Sequence, residues 1–219
     1  MRILLAIFIC FFASVNLSAQ QYQFKNFSVA DGLGQSQVFS IAQTVDGFVW
    51  FATQGGGLSR TDGEDFESFT TLHGLPSNYI HSLLVDDSLM WIGTSQGLAL
   101  WNGVSINSIV ESQGLSVADL AVHPENQMLF LATNKGLKMW DGKSFQSFPV
   151  DLSAIGSLYA IEINEEGDIW IGGNTGLMFC SGSSTSSSAE DGSPLKSILI
   201  LSISSNKNNG FFTPTFDIF

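Results

Sequence analysis

Basic residues are scarce in this chain. Eight Lys and Arg stand against twenty Asp and Glu in 219 residues, a net charge of −12. That balance excludes the basic footprint that nucleic acid requires, and no lysine patch invites anionic lipid. Cysteine is nearly absent, with only Cys10 and Cys180. Long apolar runs are missing as well: Ile3 to Ala13 falls short of the roughly 20 residues of a membrane-spanning helix, and Ile198 to Leu201 is far shorter. What abounds is glycine (22) and phenylalanine (18), with five tryptophans. A chain poor in charge and rich in these residues reads as many short strands joined by tight turns, with enough apolar content for one sizeable core.

Residues 1–19 read as a signal peptide: Arg2, then the apolar stretch, then Leu17-Ser18-Ala19 as a small-residue exit. Ile9 precedes Cys10 where a lipoprotein site needs a small residue, so no lipid anchor is expected. Removal of the leader leaves Cys180 alone, which excludes an intramolecular disulfide. The expected location is outside the cytoplasm, periplasmic or extracellular, with no membrane span in the mature chain. At the other end, Ser181 to Ser188 is a Ser/Gly-rich run, and residues 183–219 carry no blade-like pattern.

Between these ends, at 20–182, the sequence repeats itself. Aromatic markers stand at Trp50, Trp91, Phe130 and Trp170, at steps of 41, 39 and 40. A Gly-Leu pair follows each: Gly57-Leu58, Gly97-Leu98, Gly136-Leu137 and Gly176-Leu177. A turn dipeptide comes next, at Asp62-Gly63, Asn102-Gly103, Asp141-Gly142 and, weakly, Ser181-Gly182. The first unit parses into Val38 to Thr44, Phe48 to Thr53, Leu58 to Thr61 and Phe66 to Thr70, because Asp-Gly between apolar runs is a hairpin turn. Four antiparallel strands at a forty-residue period predict an all-β fold of β-propeller blades, about four of them, in an incomplete or open ring.

The second strands support stacking. Phe48, Trp50 and Ala52 share one face while Val49, Phe51 and Thr53 share the other, so both sides are apolar, as a blade between two neighbours requires. The pattern Phe66-Glu67-Ser68-Phe69 of an outer strand recurs at Phe24-Lys25-Asn26-Phe27, which predicts an orphan outer strand over 22–27. The fourth unit lacks its own outer strand before the Ser/Gly run.

The segments Asp31-Gly32-Leu33, Gly74 to Ile80 (GLPSNYI), Trp91 to Leu98 (WIGTSQGL) and Trp140 to Phe145 (WDGKSF) resemble the two-component regulator propeller repeat. The resemblance covers about residues 22 to 180. It implies the exported sensor portion of bacterial signalling proteins, often hybrid histidine kinases. No kinase, phosphoacceptor or DNA-binding module is expected after residue 182, so the reading is a truncated or fragmentary sensor segment.

Few residues suggest chemistry. Trp50, Trp91 and Trp170 read as core, while Trp101 and Trp140, beside turns, are expected to be partly exposed. His73, His81 and His123 have no ligand spacing. The carboxylates Glu162, Glu165, Glu166 and Asp168 and the pair Asp86-Asp87 read as solvated turns rather than a calcium loop. No nucleophile elbow stands near Cys180 or the serines. The expectation is therefore a non-enzyme without cofactor or metal. Its candidate ligand-binding residues are Gln54, Gly55, Ser95, Gln96, Asn134, Lys135, Asn174 and Thr175, in the turns between second and third strands. The partner would be a small molecule, glycan or peptide, with self-association through open blade faces as a further partnership. A structural or protein-interaction module is the alternative, and a propeller lyase a third reading. The glycines of these turns fit tight-turn geometry as well as close backbone approach to a ligand.

Overall fold

The computed structural model describes residues 24–181 and the strand backbones of 198–202 and 215–218. Its strands form four antiparallel sheets in chain order. Blade one holds β1 (Val38–Gln43), β2 (Val49–Thr53), β3 (Leu58–Thr61) and β4 (Phe66–Phe69). Blade two holds β5 (Ile80–Asp86), β6 (Leu89–Thr94), β7 (Gly97–Trp101) and β8 (Ile106–Ser108). Blade three holds β9 (Val117–Val122), β10 (Leu129–Thr133), β11 (Gly136–Trp140) and β12 (Phe145–Ser147). Blade four holds β13 (Leu158–Ile163), β14 (Ile169–Gly173), β15 (Gly176–Cys180), β16 (Ile198–Ser202) and β17 (Thr215–Ile218). The first strands pack on one another in the order β1, β5, β9, β13, and among the described residues the four blades form an open arc rather than a closed ring.

Local chemistry sets the hairpins. In the outer turns, Asp62 Oδ1 accepts from the Glu64 and Asp65 amides, Asn102 Oδ1 from Val104 and Ser105, and Asp141 Oδ1 from Lys143 and Ser144. The glycine after each takes positive φ. The turns between second and third strands are tied by a threonine hydroxyl: Thr53, Thr94 and Thr133 donate to the carbonyls of Gly57, Gly97 and Gly136 at 2.6, 2.7 and 2.6 Å. Blade four has Gly173 at this position and lacks the tie.

Packing between blades repeats one pattern three times. Between blades one and two, Trp50 and Ala52 of β2 meet Met90 and Ile92 of β6 and Ala99 and Trp101 of β7. Between two and three, Trp91 packs at the margin of a cluster built on Leu129, Leu131 and Trp140. Between three and four, Phe130 and Ala132 meet Ile169, Ile171, Met178 and Cys180. One face of each second strand thus enters the next blade, and the other receives the blade before. Fully burying each such side chain is worth about 1.5–3 kcal/mol. Arg60 closes the first interface. Its guanidinium lies 4.5 Å from the Phe48 ring and 5.3 Å from the Trp50 ring, and it pairs with Glu67 at 2.7 Å.

A polar link crosses the same interfaces at the first strands. Ser40 Oγ accepts from the Leu83 amide at 3.3 Å, and Asp119 Oδ2 accepts from the Ile161 amide at 3.0 Å. Ser82 holds the corresponding place in blade two, but its Oγ is buried without a partner. The amide it would meet, that of Leu120, donates instead to Asp119 Oδ1 at 2.9 Å. Burial pushes the Asp119 carboxyl above its ordinary range, against the two backbone bonds that lower it. The folded state therefore holds this proton more tightly than the unfolded chain. Asp119 should make stability fall as pH rises from the ordinary carboxylate value through its raised folded value, with no such loss below it. Asp31, Asp62, Asp141 and Asp151 are shifted down by hydrogen bonds and act in the opposite sense. Asp119→Asn should remove the Asp119 slope alone. Denaturant unfolding of both proteins between about pH 4 and about pH 7 measures it, and a pH-independent difference would refute the assignment.

Three expectations from the sequence change. Trp101 and Trp140 are buried, at 4% and 7% exposure, whereas Trp91 and Trp170 are only partly buried. Trp101 pairs with Met90 and Trp140 with Leu129, which turns both rings toward the preceding blade. Trp101 lies 5.1 Å from Trp50, while Trp170 points away from the cluster that blade four shares with blade three. Second, Phe24 to Phe27 is not a strand. It runs beside the outer edge of blade one, with Lys25 Nζ on the Gly63 carbonyl at 2.8 Å and Phe27 against Phe66 at 5.3 Å. No sheet of its own lies beside it among the described residues. Third, the fourth sheet takes its outer strand from beyond the Ser/Gly run, where β16 pairs with β15 from Cys180↔Ile198 to Gly176↔Ser202. The leader, residues 1–19, lies outside the described residues. Among the described residues no helix is long and apolar enough to cross a membrane.

Candidate functional site

Because strands alternate in direction, the turn between second and third strands lies at the end of the blade where the first strand begins. The hydrogen bonds show this: the amides of Gln54, Ser95, Asn134 and Asn174 donate to the carbonyls of Gln37, Tyr79, Ser116 and Ser157, just ahead of or at the entry to β1, β5, β9 and β13. All eight sequence-predicted residues therefore share one face of the arc.

Their side chains divide into two kinds. Ser95, Asn134, Asn174 and Thr175 hold the turn to the incoming segment. Ser95 Oγ donates to Ser77 Oγ at 2.9 Å, Asn134 Oδ1 and Asn174 Oδ1 accept from the Ser116 and Ser157 amides, and Thr175 Oγ1 donates to the Ala154 carbonyl. Gln54, Gln96 and Lys135 are exposed. The Gly55 and Gly57 amides both donate to the Asn78 carbonyl, at 3.1 and 3.0 Å, so in blade one the turn uses its own backbone donors. Gln96 also borders an open cleft of about 380 Å³ lined by Pro76, Ser108, Ile109, Val110 and Gln113.

The structure adds four residues that sequence periodicity does not reveal. Each first strand carries a β-bulge near this face, leaving Phe39, His81, Ala118 and Tyr159 outside the paired register. A bulge re-aims the extra side chain out of the sheet's regular alternation. Phe39 and Tyr159 are 46% and 63% exposed. The Phe39 ring meets His81 edge-on at 5.9 Å. His81 Nδ1 lies 3.0 Å from the Val117 carbonyl. A carbonyl only accepts, so Nδ1 carries the hydrogen, and in the neutral ring Nε2 is an acceptor. The side chains at these positions (Phe, His, Ala, Tyr) share no type, and a single extra residue leaves no mark on a forty-residue period.

The other histidines serve local structure: His73 Nδ1 accepts from the Thr70 amide and His123 Nδ1 from the Glu125 amide. Asn164 and Asp168 close a hairpin turn, with the Asp168 amide on Asn164 Oδ1 at 2.8 Å. Among the described residues no three His, Cys, Asp or Glu side chains converge as metal ligands. Burial raises the Cys180 thiol above its ordinary value, which disfavours the thiolate.

The model of the two-component regulator propeller matches residues 32–55 and 74–96. Those two stretches are similar to the two-component regulator propeller repeat. The matched stretches run from the segment ahead of β1 to the turn after β2, and from the segment ahead of β5 to the turn after β6. They therefore include Phe39, His81 and the first four predicted site residues. Among solved structures, the extracellular domain of a protein described as a hybrid two-component system from B. thetaiotaomicron aligns with 90% of this chain at 20% identity and TM-score 0.61. Another such domain from the same organism aligns with 68% at 26% identity and TM-score 0.56. The chain spans 32% and 22% of those two proteins' chains. Virginiamycin B lyase from Staphylococcus aureus shares the propeller fold, at 11% identity, TM-score 0.53, 92% coverage of this chain and 75% of that one. No curated protein sequence matches this chain.

Proposed function

We propose that these repeats form an exported, non-catalytic sensor segment that binds a small molecule, glycan or peptide on the face where the inner bulges and the second turns meet. The observation that carries this reading is the row of bulged residues on consecutive first strands. Exposed Phe39 and Tyr159 offer apolar contact, and His81, tied through Nδ1 to the Val117 carbonyl, offers Nε2 as a hydrogen-bond acceptor. The family match and the likeness to extracellular domains of two-component systems support export and sensing. A scaffold alone names no ligand. A second reading, a structural or protein-interaction module, is favoured by the two blade faces left uncovered among the described residues.

Isothermal titration of oligosaccharide and peptide libraries against the folded protein tests the proposal. Binding is expected, and Tyr159→Ala or His81→Ala should weaken it on the order of tenfold or more, the loss of about 1.4 kcal/mol; Tyr159→Ala should do so without lowering thermal stability appreciably, whereas His81→Ala also gives up the Nδ1 bond to the Val117 carbonyl. A folded protein that binds no member of either library, or whose binding is indifferent to both substitutions, would sink it.

A further inference from the structure

The interface between blades one and two houses a cation. Arg60 stands opposite Trp50 in the pairing of β2 with β3, and its guanidinium lies 5.3 Å from the Trp50 ring and 5.5 Å from the Trp101 ring of blade two. Phe48 and Phe69 flank it at 4.5 and 5.3 Å, and Glu67 supplies the carboxylate. The negative faces of aromatic rings attract a cation that has left water, and a planar guanidinium can stack on them while it pairs with an acid. Trp50 is fully buried beneath this arrangement.

The next interface keeps the two indoles and lacks the cation. Trp91 and Trp140 hold the places of Trp50 and Trp101, but opposite Trp91 stands Leu100. An open cleft of about 290 Å³ lies against both rings, and its wall also includes Asp86, Asn126, Gln127 and Asp141 but no Lys or Arg. It opens where β5 and β9 finish, at the opposite end of the blades from the candidate ligand face. Trp91 is only half-buried. In blade one, Thr44 Oγ1 accepts from Trp50 Nε1 at 2.9 Å; Asp86 takes the place of Thr44 in blade two, and its carboxylate has no hydrogen bond or ion pair among the described residues. Asp141 accepts from the amides of its own turn, which keeps it ionised. The third interface fills the same place with Met139 beside Phe130 and Phe148, and no carboxylate lines its smaller cleft of about 150 Å³. Only the middle interface joins a pair of indoles to an acidic rim and leaves the cation out.

We infer that this cleft takes an arginine side chain of a partner polypeptide, its guanidinium stacked on Trp91 beside Trp140 and paired with Asp86. Two observations select that occupant. The chain sets its own guanidinium beside the counterpart rings one blade earlier, so this pair of positions accommodates a planar cation. The rim is acidic in a chain of net charge −12, which favours a basic segment over an anionic or purely apolar one. A guanidinium suits the cleft better than an ammonium because it stacks and pairs with a carboxylate at once. The inference stands apart from the ligand-binding reading of the opposite face.

The probe is a blocked peptide, Gly-Ser-Arg-Ser-Gly, titrated into the full chain and followed by calorimetry and by the indole N–H signals in NMR. A dissociation constant of about 1 mM or below is expected, with the Trp91 and Trp140 signals moving and those of Trp50 and Trp170 still. A citrulline twin removes the charge at nearly constant shape, and a lysine twin removes the plane; each should bind on the order of tenfold more weakly. Asp86→Asn, at constant size, should weaken the arginine peptide by about tenfold as well and leave the thermal midpoint unchanged. Leu100→Arg copies Arg60 into the middle interface and should abolish peptide binding in a folded protein. An arginine peptide that fails to bind at ten times the expected concentration, a citrulline or lysine twin that binds as tightly, or shifts confined to other indoles would overturn the inference. So would wild-type binding by Asp86→Asn or by folded Leu100→Arg.

Discussion

Trp101→Ala is expected to lower the unfolding free energy by about 3–5 kcal/mol, the range for removing a buried large aromatic. The ring is 4% exposed, packs on Trp50 at 5.1 Å and Phe69 at 5.8 Å, and lies 5.5 Å from the Arg60 guanidinium. Its removal opens a cavity between two sheets that cannot close without shifting a whole blade, so little relaxation is available. Trp170→Ala, on the face of blade four turned away from blade three, should cost roughly 1 kcal/mol or less, as a partly exposed side chain does. Urea unfolding of both variants checks the pair. Equal losses would mean that position in the arc does not control burial, contrary to the interface pattern.

Gly57→Ala should cost at least about 2 kcal/mol, from two sources that add. Gly57 has φ +82°, a left-handed conformation, and a Cβ built there would sit 2.2 Å from the Phe69 carbonyl oxygen. That oxygen belongs to β4, so neither partner can yield without disturbing the blade. Gly47 provides the control: its φ is +89°, but no atom lies within 4 Å of an added Cβ. Gly47→Ala should therefore show only the conformational part, about 1 kcal/mol. Denaturant midpoints for the two variants decide the matter, and equal shifts would show that the Phe69 contact contributes nothing.

The blades were legible because three markers keep one register, and each marker has a physical cause. The second-strand aromatic fills an interface, the Gly-Leu pair makes a turn and then a core contact, and Asp-Gly or Asn-Gly closes the outer hairpin. The first strand of the arc illustrates what was not legible. Its bulge at Phe39 depends on the pairing of Val38 with Thr53 and Ser40 with Ala52, a relation between strands that no single segment displays. Trp101 and Trp140 were misjudged because adjacency to a turn suggests exposure, whereas the face shared with Met90 and Leu129 determines it. Likewise, the outer strand of blade four lies across a Ser/Gly run, where neither spacing nor alternation connects Ile198 to Cys180. For the candidate site, sequence located the turns but not their bonds. Asn134 and Asn174 looked available to a ligand, yet each spends its side-chain oxygen on a neighbouring amide.

The central claim is an open arc that ends in two unmatched blade faces, and an engineered disulfide tests it most directly. In the covered interfaces, the counterparts of Ala160 and Ile41 are in hydrogen-bond contact, as Ser40 with Leu83 and Asp119 with Ile161. The double variant Ile41→Cys, Ala160→Cys therefore places a thiol on each terminal blade. After mild oxidation at high dilution, peptide mapping should find the two new thiols unlinked within one chain. A disulfide between residues 41 and 160 within one chain would show that the ring closes on itself and would contradict the account.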